Sequence, residues 1–227
     1  MLHWSPHGSR VHGSGYLRPW IACGGVSMMD PVTAESDVGP MLIESAMPSF
    51  DAGLVEHLVV HAGRRATFEA ARELDFLSVR TPLVTVAMWM RGLPVRWSGR
   101  AVPTPPRLVL GEGVGLPGWL MLGEIPGREI VFGAVGKFWQ PDIEWRDIPR
   151  ADFAGFTEPG WGKIAANFTL ARYGEQASLL SYEVRSVTTD PVSRQRFLRY
   201  WWLVRPFVAH IMRATLRTIR TNAEASA

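Results

Sequence analysis

The chain has 227 residues, 47% hydrophobic and 20% charged, which suits one globular domain with a substantial core. A formal charge of +3 is too small to imply nucleic acid, and a single cysteine, Cys23, excludes an internal disulfide framework and fits a reducing, cytoplasmic setting. No apolar run approaches the roughly 18 residues that span a bilayer, and Arg18 and Pro19 interrupt the one early apolar stretch that could serve a signal peptide.

Residues 1–40 are rich in Gly, Ser, Pro and His and show no periodicity. The segment 1–47 therefore reads as a poorly ordered tail, with Met28, Met29 and Met41 as alternative translation starts, ahead of a domain at 48–227. From Leu54, "LVEHLVVHA" is strand-like. "RRATFEAARELDF" follows with Phe68, Ala71 and Leu74 at helical spacing. Thr81 and Pro82 cap and open a second short helix with Leu83, Val86, Ala87 and Met90 on its apolar face, stopped by Gly92 and Pro94. After a proline-rich connection come six strand-like runs, beginning at residues 107, 118, 128, 142, 163 and 177. Ile125-Pro-Gly127 and Gly174-Glu-Gln176 read as hairpin turns, and "PRADFAGFTEPGWG" as a looser loop. Asp190 and Pro191 then start a long helix whose Phe197, Tyr200, Trp201, Val204, Val208, Ile211, Met212, Leu216 and Ile219 follow 3/4 spacing. Pro206 lies inside that pattern and is expected to kink it.

This order predicts an α+β fold: a curved antiparallel sheet of about six to seven strands, one face covered by the C-terminal helix. It resembles the START-like (SRPBCC) helix-grip superfamily, and most closely its bacterial polyketide cyclase/dehydrase and lipid-transport-like members. The residues that carry the resemblance are "RGLP" at 91–94, "PGREIVFGAVGKFW" at 126–139 and "SYEVRSVTTDPVSRQRFLRYWWLVRP" at 181–206. It spans about residues 48–222. Where many relatives have an Ala-Pro-Pro-like turn after the first strand, this chain has "AGRR" at 62–65, which questions the lead into the first helix. The resemblance implies a cavity between sheet and helix that takes a lipid, sterol or polyketide-like molecule, with no cofactor; a minority of members are enzymes.

Within this frame one stretch stands out. "VFGAVGKFW" places Lys137, one of only two lysines in the chain, in an apolar strand with two glycines. By alternation Gly133, Val135, Lys137 and Trp139 share a face. One reading has Lys137 point into the cavity, the glycines leaving room above it, and join Glu183 and Arg185 of the last strand in holding a ligand carbonyl or carboxylate. The other makes the lysine part of a cross-strand ion pair on the solvent face, as the apolar set Leu180, Tyr182 and Val184 suggests by turning Glu183 outward. The candidate ligand-binding residues are Lys137, Trp139, Glu183, Arg185, Phe197, Tyr200 and Trp201.

A non-catalytic binder of a hydrophobic small molecule ranks first. An enzyme of cyclase/dehydratase type ranks second, with Glu183 as base and Lys137 or Arg185 stabilising an enolate. His57 and His61 are about 13 Å apart along one strand, too far for one metal, so no metal is expected. "GVGLPG" at 113–118 matches G-x-G-x-x-G only as a string, since a strand rather than a helix follows it. The last helix carries Arg194, Arg196, Arg199, Arg205, Arg213, Arg217 and Arg220, which opens a third reading as a module on an anionic membrane surface. No recognition motif for nucleic acid accompanies these arginines. The sequence leaves the oligomeric state open.

Overall fold

The structure is a computed structural model, and it describes residues 39–76, 79 and 118–227. The expected helix at 82–90, the strand at 107–114 and the "RGLP" segment lie outside these residues. The described elements are α1 (Leu42–Ala46), β1 (Ala52–Val60), α2 (Arg64–Arg72), β2 (Trp119–Ile125), β3 (Glu129–Gly136), β4 (Trp145–Arg146), a 3-10 turn (Arg150–Asp152), β5 (Gly162–Tyr173), β6 (Ala177–Thr188) and α3 (Pro191–Ala225).

The six strands form one antiparallel sheet in the order β1-β6-β5-β3-β2, with β4 paired to β3. The fold is α+β and helix-grip-like, as expected: a curved sheet with a long C-terminal helix on one face. A register shift between Met121 and Gly123 interrupts the β2–β3 ladder, an irregularity of the kind that bends a strand. The β2–β3 hairpin closes at Pro126-Gly127, where Gly127 takes φ 71° and the Arg128 amide donates to the Ile125 carbonyl. The β5–β6 hairpin closes at 174–176 as expected.

Register assigns every side chain to a face. The inner face, toward α3, carries Phe132, Phe168, Tyr182 and Leu180, which join Met212, Leu216 and Ile219 of α3 and Phe68 and Ala71 of α2 in one core. Phe68, Ala71 and Leu74 are buried as their spacing predicts, though α2 ends at Arg72 and Leu74 lies just beyond it. α2 starts directly after Gly63, which has extended geometry at the N-cap, so "AGRR" leads into the helix without a proline turn. Thr67 fastens it to β6 through the Ser178 hydroxyl at 2.9 Å, and Ser178 donates to the Ala62 carbonyl.

The outer face departs from expectation, because it too is covered. Val131, Val135, Ala165 and Leu122 pack beneath Ile43 of α1, Met47 just after it, and Phe153 and Trp161. All eight residues of β3 are buried, the behaviour of a strand with protein on both sides. The end of the expected tail is therefore structured: residues 42–46 are helical, and Ile43 is fully buried. The buried carboxylate of Glu129 holds α1 in place, accepting from the amides of Leu42 (2.6 Å) and Ile43 (3.2 Å) and from Asn167 Nδ2 (2.8 Å).

Asp190 caps α3 as its sequence predicts, accepting from the amides of Val192 and Ser193 at 2.9 Å. Hydrogen bonds from the Ser193 side chain, then from the Ser193 and Gly160 amides, hold its carboxyl down at about 2. The helix continues through Pro206. Residues 202, 203, 205 and 206 are exposed, so the carbonyl that Pro206 leaves unpaired belongs to a turn that water can reach. Ile211, expected in the apolar stripe, is 38% exposed; Val208, Met212 and Thr215, spaced by three and four, take the inward positions instead.

Candidate functional site

The sequence-predicted polar cluster does not assemble. β3 ends at Gly136, and Lys137 lies just beyond it. Its amide donates to the Glu144 carbonyl, which extends the β3–β4 ladder by one bond. Its ammonium pairs with Glu144 Oε2 at 2.7 Å and lies 4.4 Å from the centre of the Trp161 ring. Trp161 belongs to the outer-face core, so Lys137 is on the side away from α3. Glu183 and Arg185 are on that side as well, opposite Asn167 and Ala165 in register. They pair with each other at 2.6 Å, and Arg185 also donates to the Met47 carbonyl and lies over the Phe50 ring. Alternation correctly grouped Gly133, Val135 and Lys137 with Glu183 and Arg185. The face they share is the one α1 and the 138–161 segment cover, so these groups hold layers together instead of lining the space under α3.

The glycines also have another use. A Cβ on Gly133 would lie 2.7 Å from the Ile164 carbonyl oxygen and 2.9 Å from both Leu122 Cδ1 and Phe153 Cζ. The room it leaves is filled by protein. The buried lysine of this fold is Lys163, which alternation places on the same outer face, opposite Val135. It is 7% exposed and donates to the carbonyls of Phe153 (3.1 Å) and Ala154 (3.0 Å), and burial lowers its pKa. It ties the 150–154 turn to β5. Neighbouring Gly162 and Ile164 could have pointed to it, since Lys163 has the same apolar surroundings in sequence as Lys137.

Trp139 parts from Lys137. The period-two rule holds only inside a strand, and residues 138–140 form a turn. Trp139 comes against Phe197 of α3 (ring centres 6.4 Å apart, edge-on), and Phe197 lies 6.0 Å from Trp201. Three of the residues picked from the sequence are thus neighbours at the start of α3. Tyr200 is half-buried one position from Trp201.

The inner face they approach is graded in its packing. Register aligns Trp119, Ala134 and Ile164 in one row across the sheet, and Met121, Phe132, Ala166, Val184 and Leu54 in the next. Further along lie Ile130, Phe168 and Tyr182, then Leu170, Leu180 and Leu58. α3 begins three residues after β6 ends and turns back across the inner face. In its C-terminal half Met212, Leu216 and Ile219 are buried near α2. In its N-terminal half Phe197 and Ser193 are buried, but Trp201, Val204 and Val208 are half-buried, as are Trp119, Met121, Ile164 and Leu54 of the first two rows. The described helix packs on β1, β6 and α2, over one side of the sheet.

Between these half-buried groups lies a chain of rings. Trp119 is 5.9 Å from Phe132, Phe132 is 5.8 Å from Phe168 and from Phe76, and Phe168 is 4.4 Å from Tyr182. Tyr182 supplies the one phenol of this chain of rings, and burial pushes its ionisation far above the ordinary value. Beside it on the same face, Glu56 pairs with Arg213 of α3 at 3.0 Å. The floor is therefore aromatic and apolar, with a neutral hydroxyl and an ion pair at its edge. No group of three His, Cys, Asp or Glu able to hold a metal occurs among the described residues. His57 instead pairs with the Ser181 hydroxyl, and the His61 amide donates to Glu224. Gly118 is a turn residue followed at once by β2, not by a helix. Among the described residues no helix is long and apolar enough to cross a membrane.

No protein-family model matches the chain, and no curated protein is significantly similar to it. Among solved structures it is similar to protein CV1439 from Chromobacterium violaceum, at 13% identity and a TM-score of 0.32, over 78% of this chain and 99% of that one. It is also similar to CalU16 from Micromonospora echinospora, at 12% identity and a TM-score of 0.26, over 76% of this chain and 84% of that one. A third is TTHA0849 from Thermus thermophilus, at 8% identity and a TM-score of 0.29, over 78% of this chain and 99% of that one. Likenesses at this level assign neither a family nor a ligand.

Proposed function

We propose that the protein binds a hydrophobic small molecule, of lipid or polyketide-like character, between the inner face of the sheet and the N-terminal half of α3. The observation that carries this reading is the graded packing. One end of the inner face is closed by Met212, Leu216 and Ile219, while the other presents half-buried Trp119, Met121, Ile164, Trp201 and Val204 around a run of aromatic rings. Apolar, aromatic walls with few polar groups are what such ligands need, and affinity comes mainly from the surface they bury. The Tyr182 hydroxyl, a neutral phenol whose ionisation burial pushes still higher, is the polar group on this face that would orient a ligand. On this reading Trp139, Phe197, Tyr200 and Trp201 line the site at the start of α3. Lys137, Glu183 and Arg185 lie on the outer face instead, and the pairing of Glu183 with Arg185 disfavours the cyclase-type reading that uses Glu183 as base.

The test is native mass spectrometry of the purified chain with solvent extraction, followed by titration with the neutral apolar fluorophore N-phenyl-1-naphthylamine. Co-purifying apolar mass or saturable uptake of the probe is expected. Trp119→Ala and Trp201→Ala should each weaken uptake by about tenfold or more, the value of one buried aromatic side chain at ~1.5–3 kcal/mol. An extract without bound mass, together with non-saturable uptake unaffected by either substitution, would overturn the reading.

A further inference from the structure

The outward face of α3 is a second feature, independent of the space beneath it. From Pro191 to Ala223 the helix has seven arginines and no acidic residue. Two of the arginines reach back to the sheet side: Arg194 pairs with Asp51 and Arg213 with Glu56. Arg196, Arg199 and Arg205 are exposed on the N-terminal half. Large apolar side chains alternate with them. Trp202 is 81% exposed, Leu203 62%, Val192 60% and Leu198 37%, on a helix whose solvent face would ordinarily be polar.

Helical geometry gathers these groups. At about 100° per residue, Leu198, Trp202, Arg199, Val192, Leu203 and Arg196 fall in one arc, opposite the arc of Phe197, Trp201 and Val204 that faces the protein. An open groove of about 450 Å³ runs along Gln195, Leu198, Arg199 and Trp202 on this side.

We propose that this face docks on an anionic lipid surface. The charge pattern requires an anionic partner. The tryptophan and leucine beside the arginines require one that also accepts apolar side chains at the depth of the charged layer. A bilayer interface offers both, with acyl chains below the headgroups and indole rings favoured at the boundary. A nucleic-acid backbone would satisfy the arginines and leave Leu203 and Val192 in water.

The full chain is sedimented with extruded vesicles of phosphatidylcholine alone, or of phosphatidylcholine mixed with phosphatidylglycerol, at low and high salt. Binding is expected to the mixed vesicles only, and to weaken with salt. Arg196→Gln with Arg199→Gln should reduce the partition coefficient roughly 30-fold, about fivefold for each arginine near the surface. Trp202→Ser with Leu203→Ser should also abolish most of the binding, while both variants keep the parent's thermal midpoint because the altered side chains are exposed. Equal partition to the two vesicle types, no partition, or partition unchanged in either variant would overturn the proposal. Tighter binding to a single-stranded oligonucleotide than to the mixed vesicles would do so as well. Uptake of the naphthylamine probe by these variants should match the parent, which separates this face from the space under α3.

Discussion

Replacing Gly133 by alanine probes the assignment of faces directly. The added methyl meets the Ile164 carbonyl oxygen at 2.7 Å and the buried side chains of Leu122 and Phe153 at 2.9 Å. The first is backbone within the β3–β5 ladder and has little freedom to yield. Overpacking of this kind costs ~1–3 kcal/mol. Alanine lowers the entropy of the unfolded chain, which returns ~0.4–1 kcal/mol. With a backbone atom among the contacts, the net loss should be about 2 kcal/mol, or roughly 4–8 °C in thermal midpoint for a domain of this size. Differential scanning calorimetry and urea unfolding of the full chain measure it. Gly155→Ala is the control: nothing lies within 4 Å of its Cβ position and its φ is not positive, so it should be neutral or raise the midpoint slightly. Phe153→Leu removes the Cζ contact and should couple with Gly133→Ala, making the double variant less destabilised than the sum. A Gly133→Ala protein as stable as the parent, with weakened uptake of the naphthylamine probe, would refute the reasoning. It would return the glycine to a ligand cavity and reverse the two faces of the sheet.

Glu129→Ala strands the Ile43 amide and the Asn167 side chain in the interior, at ~1–3 kcal/mol each, so a loss of roughly 2–6 kcal/mol is expected. Hydrogen exchange should show residues 42–47 losing protection first. Asp190 has a folded pKa of about 2 against 3.8, so the stability it contributes is fully present above pH 4 and is lost as pH falls toward 2. The thermal midpoints of the parent and Asp190→Ala should accordingly differ by a constant amount above pH 4 and converge below it. Convergence at neutral pH would contradict the cap's electrostatic role. Lys137→Met removes a partly exposed pair, so a change below ~1 kcal/mol and unaltered probe uptake are expected by urea unfolding and fluorescence titration.

Local chemistry made much of this protein readable from its residues. The hairpin at Pro126-Gly127, the cap at Asp190-Pro191 and the stripe Phe68-Ala71-Leu74 depend on neighbours a few positions away, and the structure keeps each of them. Alternation also grouped Gly133, Val135, Glu183 and Arg185 on one face, because a strand's side chains have no other choice. Alternation cannot say what lies above that face. That depends on α1 and the 138–161 segment folding over the sheet, which brings Met47, Phe153 and Trp161 onto it from far along the chain. The same tertiary contacts make Lys163 the buried lysine, since only there do the carbonyls of Phe153 and Ala154 arrive to accept its hydrogen bonds. They leave Lys137 to Glu144 at the strand's end. Sequence alone thus determined the order of β1, α2, the later strands and α3 and, within each strand, which residues share a face; it missed α1 and carried the face set past the strand's end to Trp139. Packing between distant segments decided which face is the floor beneath the helix, and "VFGAVGKFW" proved to divide its residues between both.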